Sequence, residues 1–433
     1  MEDQKKSFLV STITIGALMI FTYVLTLTLD CNGISFFKWL LSPILVLGSS
    51  SGSTTIAVLV FLLIIGGITN GLNKCGFMEY MLDKIVYKHG KHKYRLMFTM
   101  VLFFMIMGSV VGTFEEVVPV TPIIVSLAIS LGFDDLTGIG MSLLAVGCGF
   151  AAGVFNPFTI GVAQELAGLP MFSGVSLRLL SFVLIYIILI VFLYQHAKRI
   201  ETKANKTRSN EFVLDDNMEK SYKAFVAIFS VAIMLVLSST FITALQDYTL
   251  IIVALMFLVA GIVSIRLTHT TRKQLFSYMK EGILNILPSA LLILMAASIK
   301  FTMEESGVLN NILNIITGYA SGMNKTQLVL FIYLICLVLE IFVPSGSAKA
   351  FLLIPLLSPL ADKFGISRQL IVLAFAYGDG FSNVFYPTNP ALIISLSLTK
   401  IPYRKWFKYS WVFQFINLLL TSGILLLGLM INY

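Results

Sequence analysis

The chain has 433 residues, of which 57% are hydrophobic and only 12% charged, a balance that excludes a soluble domain with an ordinary charged surface. Its formal net charge is +8, but the basic residues cluster in short stretches between apolar runs, which makes them orientation signals rather than a nucleic-acid patch. The cysteines Cys31, Cys75, Cys148 and Cys336 stand apart in apolar contexts, with neither disulfide-framework pairing nor metal-binding spacing.

A spanning helix needs roughly 20 apolar residues, and such runs fill the chain, giving an all-α polytopic membrane protein. The most basic segment, 198–223, carries Lys198, Arg199, Lys203, Lys206, Arg208, Lys220 and Lys223, and the positive-inside rule places it in the cytoplasm. Lys5 and Lys6 and the clusters at 84–95, 266–280 and 400–408 must share that side, which fixes the number of crossings between them. From a cytoplasmic N-terminus, residues 8–29 read as a retained first span, too long for a signal peptide and followed by no small-residue cleavage site. Residues 54–73 return, and 76–88 lie amphipathically at the inner surface.

Residues 96–112 and 117–131 are each short for a span and flank the polar tip Gly112-Thr113-Phe114-Glu115-Glu116, which predicts a re-entrant helical hairpin over 94–133. A membrane helix over 136–169 is interrupted at Asn156-Pro157. Proline removes a backbone donor and clashes with the preceding turn, so such a break is tolerated at membrane depth only inside protein or beside a wet cavity. Residues 178–194 return to a basic loop and an extra span, 224–245. Spans at 248–265 and 283–302 follow, then an amphipathic stretch at 307–318. A second hairpin at 326–363 carries the tip Pro344-Ser345-Gly346-Ser347, a second broken helix at 368–400 is interrupted at Asn389-Pro390, and a final span covers 410–431.

These elements repeat in order. Cys75-Gly76 corresponds to Ser306-Gly307, Pro122 to Pro355, Gly147-Cys148-Gly149-Phe150 to Gly378-Asp379-Gly380-Phe381, and Asn156-Pro157 to Asn389-Pro390, at offsets that drift by only two residues. The division is therefore a first repeat at 1–200, a basic loop and linking span at 201–245, and a second repeat at 246–433. The odd span between the copies threads the second one in the opposite sense. Paired broken helices in inverted halves point to a midplane binding site of a secondary transporter.

Glu115 and Glu116 at the first tip carry charge at membrane depth, where a carboxylate costs on the order of 2.5–3.5 kcal/mol. They either face a wet cavity, binding a cation or carrying a proton, or cap the following helix. Asp379 lies between two glycines in the second broken span and serves either the solute or the unwound backbone. Asn156, Asn383, Thr388 and Asn389 can donate and accept at the breaks; they suit a solute, a sodium ion near Asn156 and Asn389, or simple helix capping. Ser345, Gly346 and Ser347 offer hydroxyls and backbone N–H groups at a helix start, a ready carboxylate site. Lys300, Glu304, Glu305 and Glu340 are expected at the interfaces.

The stretch GTFEEVVPVTPIIVSLAISLGFDDLTGIG, then GFAAGVFNPFTIGVAQELAGLPMFSG, within Gly112 to Gly174, and the later Tyr386-Pro387-Thr388-Asn389-Pro390 resemble the YfcC-type branch of the anaerobic dicarboxylate carrier (DcuC) family, within the ion transporter superfamily. The resemblance implies a scaffold domain that forms a homodimer and a mobile transport domain that moves like an elevator. It also implies a solute site at Gly112 to Glu116, Asn156, Ser345 to Ser347, Asp379 and Asn389. Relatives carry four-carbon dicarboxylates, short-chain fatty acids or amino acids.

Charge arithmetic at Glu115, Glu116 and Asp379 favours a small amino acid, a basic one such as arginine or ornithine. The alternative is a proton- or sodium-coupled symporter of dicarboxylates or short-chain carboxylates. An intramembrane aspartyl protease is disfavoured because Ala376 stands where a GxGD motif needs glycine. The expected setting is a bacterial inner membrane, with a small solute and the lipid bilayer as partners and no cofactor beyond a coupling ion.

Overall fold

The computed structural model describes residues 2–29, 32–49, 52–112, 114–200, 214–239, 248–308, 311–312, 315, 318–319 and 322–433, and among them every regular element is helical. Seven helices are long and apolar enough to cross a membrane: Gly52–Lys74, Gly90–Val111, Asp135–Leu166, Val175–Ile200, Leu250–Leu267, Arg272–Glu305 and Tyr403–Met430. The chain is a multi-pass membrane protein. The outer end of the span expected at 224–245, the basic loop to residue 213, Cys31 and much of the stretch expected at 307–318 lie outside the described residues.

One group of helices packs around Gly52–Lys74, with Arg272–Glu305 and Thr249–Leu267 against it and Glu2–Thr28 against Arg272–Glu305. Small residues let these backbones approach, as is usual where lipid supplies no hydrophobic drive between helices. A Cβ added to Gly282 would stand 2.4 Å from the carbonyl oxygen of Gly66. Arg272–Glu305 begins well before the span expected from residue 283, because Thr271 and Gln274 form a reciprocal capping box. Its 34 residues rise about 50 Å, more than the roughly 30 Å of a hydrocarbon core.

The second group contains the two predicted hairpin segments and the two interrupted helices. In the first hairpin, Lys93–Ile106 runs into a π-turn at Met107–Val111 and stops at Gly112, whose φ of +74° suits glycine. The next arm begins only at Thr121, later than the expected 117, after a single 3₁₀ turn at Glu115–Val117. In the second hairpin, Lys325–Glu340 ends in an irregular tip and Gly346–Lys363 follows, tolerating Pro355 and Pro359.

Both interrupted helices break where Asn-Pro stands in the sequence. The first is helical to Ala152, leaves the helix through Gly153 at φ +49°, and resumes from Pro157. The second, Arg368–Asn383, resumes as Pro390–Thr399. The first halves, Ala145–Ala152 and Arg368–Asn383, pack on each other. The packing around them is reciprocal: the arm Thr121–Ser130 touches Pro390–Thr399, while the arm Gly346–Lys363 touches Val162–Leu166. Each hairpin thus reaches the resumed helix of the other half.

Candidate functional site

The two breaks are built alike, from an asparagine that caps the resumed helix. Asn156 Oδ1 accepts the N–H groups of Phe158 (2.9 Å) and Thr159 (3.2 Å), and Asn389 Oδ1 accepts that of Leu392 (3.2 Å). These bonds satisfy backbone donors that the break orphans. The second break is tied further, since Asn389 Nδ2 donates to Asn383 Oδ1 (2.6 Å) and Asn383 Nδ2 to the Asp379 carbonyl (2.9 Å). The first break differs: Asn156 Nδ2 is buried without a hydrogen-bond partner among the described residues, as are Thr159 Oγ1 and, at the second break, Thr388 Oγ1.

The hairpin tips meet these breaks. A Cβ on Gly112 would lie 2.0 Å from Asn156 Oδ1, so the first tip rests directly on the first cap. A Cβ on Gly346 would lie 2.8 Å from both Asp379 Oδ2 and Thr159 Cγ2. The second tip therefore touches both interrupted helices. Ser345 occupies the N-cap of the following helix without a side-chain capping bond, and Ser347 is half-buried in its first turn. Thr113 lies outside the described residues.

The paired glutamates part company. Glu115 opens the 3₁₀ turn Glu115–Val117 and is half-buried. Glu116 instead lines a cavity of about 370 Å³ against apolar side chains such as Phe103, Met107, Phe229 and Val253. A larger cavity, about 550 Å³, lies between the helices Gly52–Lys74 and Arg272–Glu305 and the second break. It is lined by Asn70, Asn73, Asn285 and Ser289 on one side and by Pro387 and Lys400 on the other.

Asp379 is fully buried and has a cationic partner that the sequence reading passed over. Lys349, one turn into the second arm, places Nζ 2.8 Å from Asp379 Oδ1 and in contact with the Glu340 carboxylate. All three side chains are at most 1% exposed. The interfacial position expected for Glu340 is thereby overturned: its arm carries it to the tip, where the ammonium of Lys349 compensates its buried charge. Both residues had a signal. Glu340 and Lys349 are lone charges bracketing the tip within apolar arms, and charge at membrane depth demands a partner. By contrast, Lys300 pairs with Glu304 at 3.5 Å within one helix and Glu305 with Lys38, all partly exposed.

A second buried cation secures the first break from outside. Arg178, 1% exposed, donates to the carbonyls of Val154 (3.2 Å) and Phe172 (3.0 Å). It sits where the helix ending at Ala152 presents unsatisfied carbonyls, the place where a positive charge is stabilising. Nearby, Gln164 accepts the Phe172 N–H (2.6 Å) and donates to Gln369 (3.0 Å), joining the two halves. Among the described residues no group of three or more His, Cys, Asp or Glu is arranged to hold a metal ion.

Residues 15–431 match the family described as C4-dicarboxylate anaerobic carrier (DcuC). A protein of Escherichia coli K12 named "Putative basic amino acid antiporter YfcC" is 32% identical over 390 residues, covering 83% of this chain and 76% of that protein. An uncharacterised protein of Haemophilus influenzae is 27% identical, covering 87% and 75%. Among solved structures, the YdaH transporter of Alcanivorax borkumensis is similar at a TM-score of 0.45 and 16% identity, covering 99% of each chain. MtrF of Neisseria gonorrhoeae, from a class of antimetabolite efflux pumps, gives 0.44 and 16% over 98% of this chain and 95% of its own. The chain belongs to the C4-dicarboxylate anaerobic carrier family, whose members are membrane transporters rather than enzymes.

Proposed function

We propose that the chain is a secondary active transporter that exchanges basic amino acids by alternating access. The observation carrying this reading is the excess of carboxylates where the tips meet the breaks. Asp379 and Glu340 share one ammonium, that of Lys349, so the buried cluster keeps one carboxylate more than it has cations. Uncompensated charge is costly away from water, so an ammonium or guanidinium completes such a site and a dianion is repelled. The start of the helix at Gly346, the hydroxyls of Ser345 and Ser347, and Asn156 Nδ2 supply donors for the amino acid's carboxylate. The name of the E. coli relative points to the same solute class.

In this reading the two halves are inverted repeats with re-entrant hairpins, supported by the repeated Asn-Pro breaks and the reciprocal packing of each hairpin on the other half. The chain lies in a bacterial inner membrane with its N-terminus in the cytoplasm, as its basic loops suggest. The scaffold helices pair two copies, and the hairpins with the interrupted helices move as one body past them. The 550 Å³ cavity between the scaffold helices and Pro387 supports such a separation.

A second reading has one observation in its favour, the buried Lys349. In a proton- or sodium-coupled symporter of dicarboxylates or short-chain carboxylates, that ammonium would face the anion. Glu115 and Asp379 would then hold the proton, or a sodium ion would sit near Asn156 and Asn389. The test is counterflow in liposomes loaded with unlabelled arginine, ornithine, alanine, succinate or butyrate, following uptake of the same labelled solute. Exchange of arginine or ornithine is expected; exchange confined to succinate or butyrate overturns the basic amino acid reading in favour of the symporter.

A further inference from the structure

Asp379 pairs with Lys349 through Oδ1 at 2.8 Å, and its carboxylate lies against the second tip, where a Cβ on Gly346 would stand 2.8 Å from Oδ2 and 3.2 Å from Oδ1. Lys349 itself stands between two carboxylates on two different elements, Glu340 at the end of the preceding arm and Asp379 on the second interrupted helix. Its backbone N–H is held by the Ser345 carbonyl at 2.9 Å, so the side chain is anchored at the tip while its ammonium has a choice of partners.

A cation reaching Asp379 beside the second tip would bring a second positive charge onto one carboxylate. Two cations sharing one buried carboxylate repel, and Glu340 gives Lys349 a place to go without leaving either charge bare. We propose that Lys349 is a tethered stand-in for the transported cation: it holds Asp379 while the carrier is empty and yields it to the ammonium or guanidinium of a basic amino acid, retreating onto Glu340. This rests on the basic amino acid reading. It adds that solute affinity is set by competition with a residue of the chain. If Lys349 occupies Asp379 in nine empty carriers of ten, the apparent affinity is reduced about tenfold.

The test compares KM for arginine counterflow in three proteins. The double variant Glu340→Gln with Lys349→Met removes one charge of each sign, so the site keeps its net charge and Asp379 is left for the solute; its KM is expected to fall about tenfold. Lys349→Arg keeps both ion pairs and supplies a planar fork that grips a carboxylate more firmly, so its KM is expected to rise with the maximal rate retained. An unchanged KM in the double variant overturns the proposal in favour of a purely structural triad. A raised KM there overturns it in favour of Lys349 as the seat of the solute's own carboxylate. Should the double variant fail to insert, Lys349→Arg decides alone, and an unchanged or lowered KM overturns the proposal. The unaltered protein separates the two failures. Exchange of succinate but not arginine ends the basic amino acid reading and this proposal with it, whereas arginine exchange with indifferent variants ends only the proposal.

Discussion

The two hairpin tips occupy equivalent places against the interrupted helices but are made of opposite chemistry. The first brings two glutamates in a 3₁₀ turn, and its glycine rests on a capping asparagine. The second brings glycine and serines at the start of a long helix, with a lysine one turn further and a glutamate just before. Acidic charge at the second tip is thus answered within the same hairpin. The first tip, residues 112–116, contains no basic residue of its own. Two tips of similar backbone can carry different chemistry because backbone packing tolerates many side chains at a tip, whereas buried charge tolerates few arrangements.

The sharpest way to break that comparison is at Asp379, which lies against the second tip. Asp379→Asn removes one partner of a buried pair, a change that costs about 3–5 kcal/mol, and counterflow per inserted protein is expected to fall at least about 100-fold. Activity within a few-fold of the unaltered protein would place the solute elsewhere. Gly346→Val comes next: even a Cβ would crowd the Asp379 carboxylate and Thr159 at 2.8 Å, so the second tip cannot close. The expected loss of exchange is about 30-fold with insertion unaffected, and the equivalent crowding at Gly112 is expected to act on Asn156 instead.

The glutamates sharpen the comparison within a single tip. Glu115→Gln is expected to raise KM for a basic amino acid about tenfold, the equivalent of 1.4 kcal/mol, because it removes a carboxylate from the first tip. Glu116→Gln is expected to change it less, because Glu116 faces the apolar cavity beside Phe103 and Phe229. The reverse order in transport assays would exchange their roles. Asn156→Ala, which removes an N-cap and leaves the donors of Phe158 and Thr159 unmet, is expected to cost about 1 kcal/mol of stability, seen as a lowered melting temperature.

The smallest effect lies outside the site. Hydrogen bonds from Lys84 and Tyr80 hold the Glu219 carboxylate below its ordinary value of 4.5. Because that value is depressed on folding, the contribution of the contact is fully present above pH 4.5 and is lost as pH falls through the depressed value. Glu219→Gln is therefore expected to flatten the acid limb of the melting-temperature profile slightly and leave neutral-pH exchange unchanged.

Much of the frame was legible because it rests on local rules. Proline after asparagine interrupts a helix wherever it stands, so both breaks could be placed at Asn156-Pro157 and Asn389-Pro390 before any packing was known, and both asparagines serve as caps. The positions of Gly112 and Gly346 at tips followed from short apolar arms around polar residues. Less legible were the ends of elements that long-range packing or capping moves, such as the start of Arg272–Glu305 and the late start of the arm at Thr121.

The sequence by itself determined that this chain lives in a bilayer and where its helices break, because hydropathy and proline act over a few neighbours. Tertiary structure alone decided which charge meets which. Lys349 could be seen in the sequence, but its choice of Glu340 and Asp379 depends on three elements converging. The apolar setting of Glu116 likewise depends on Phe103, Phe229 and Val253 arriving from other helices. Electrostatic partnership is a property of distance and burial, and neither is written in the order of residues.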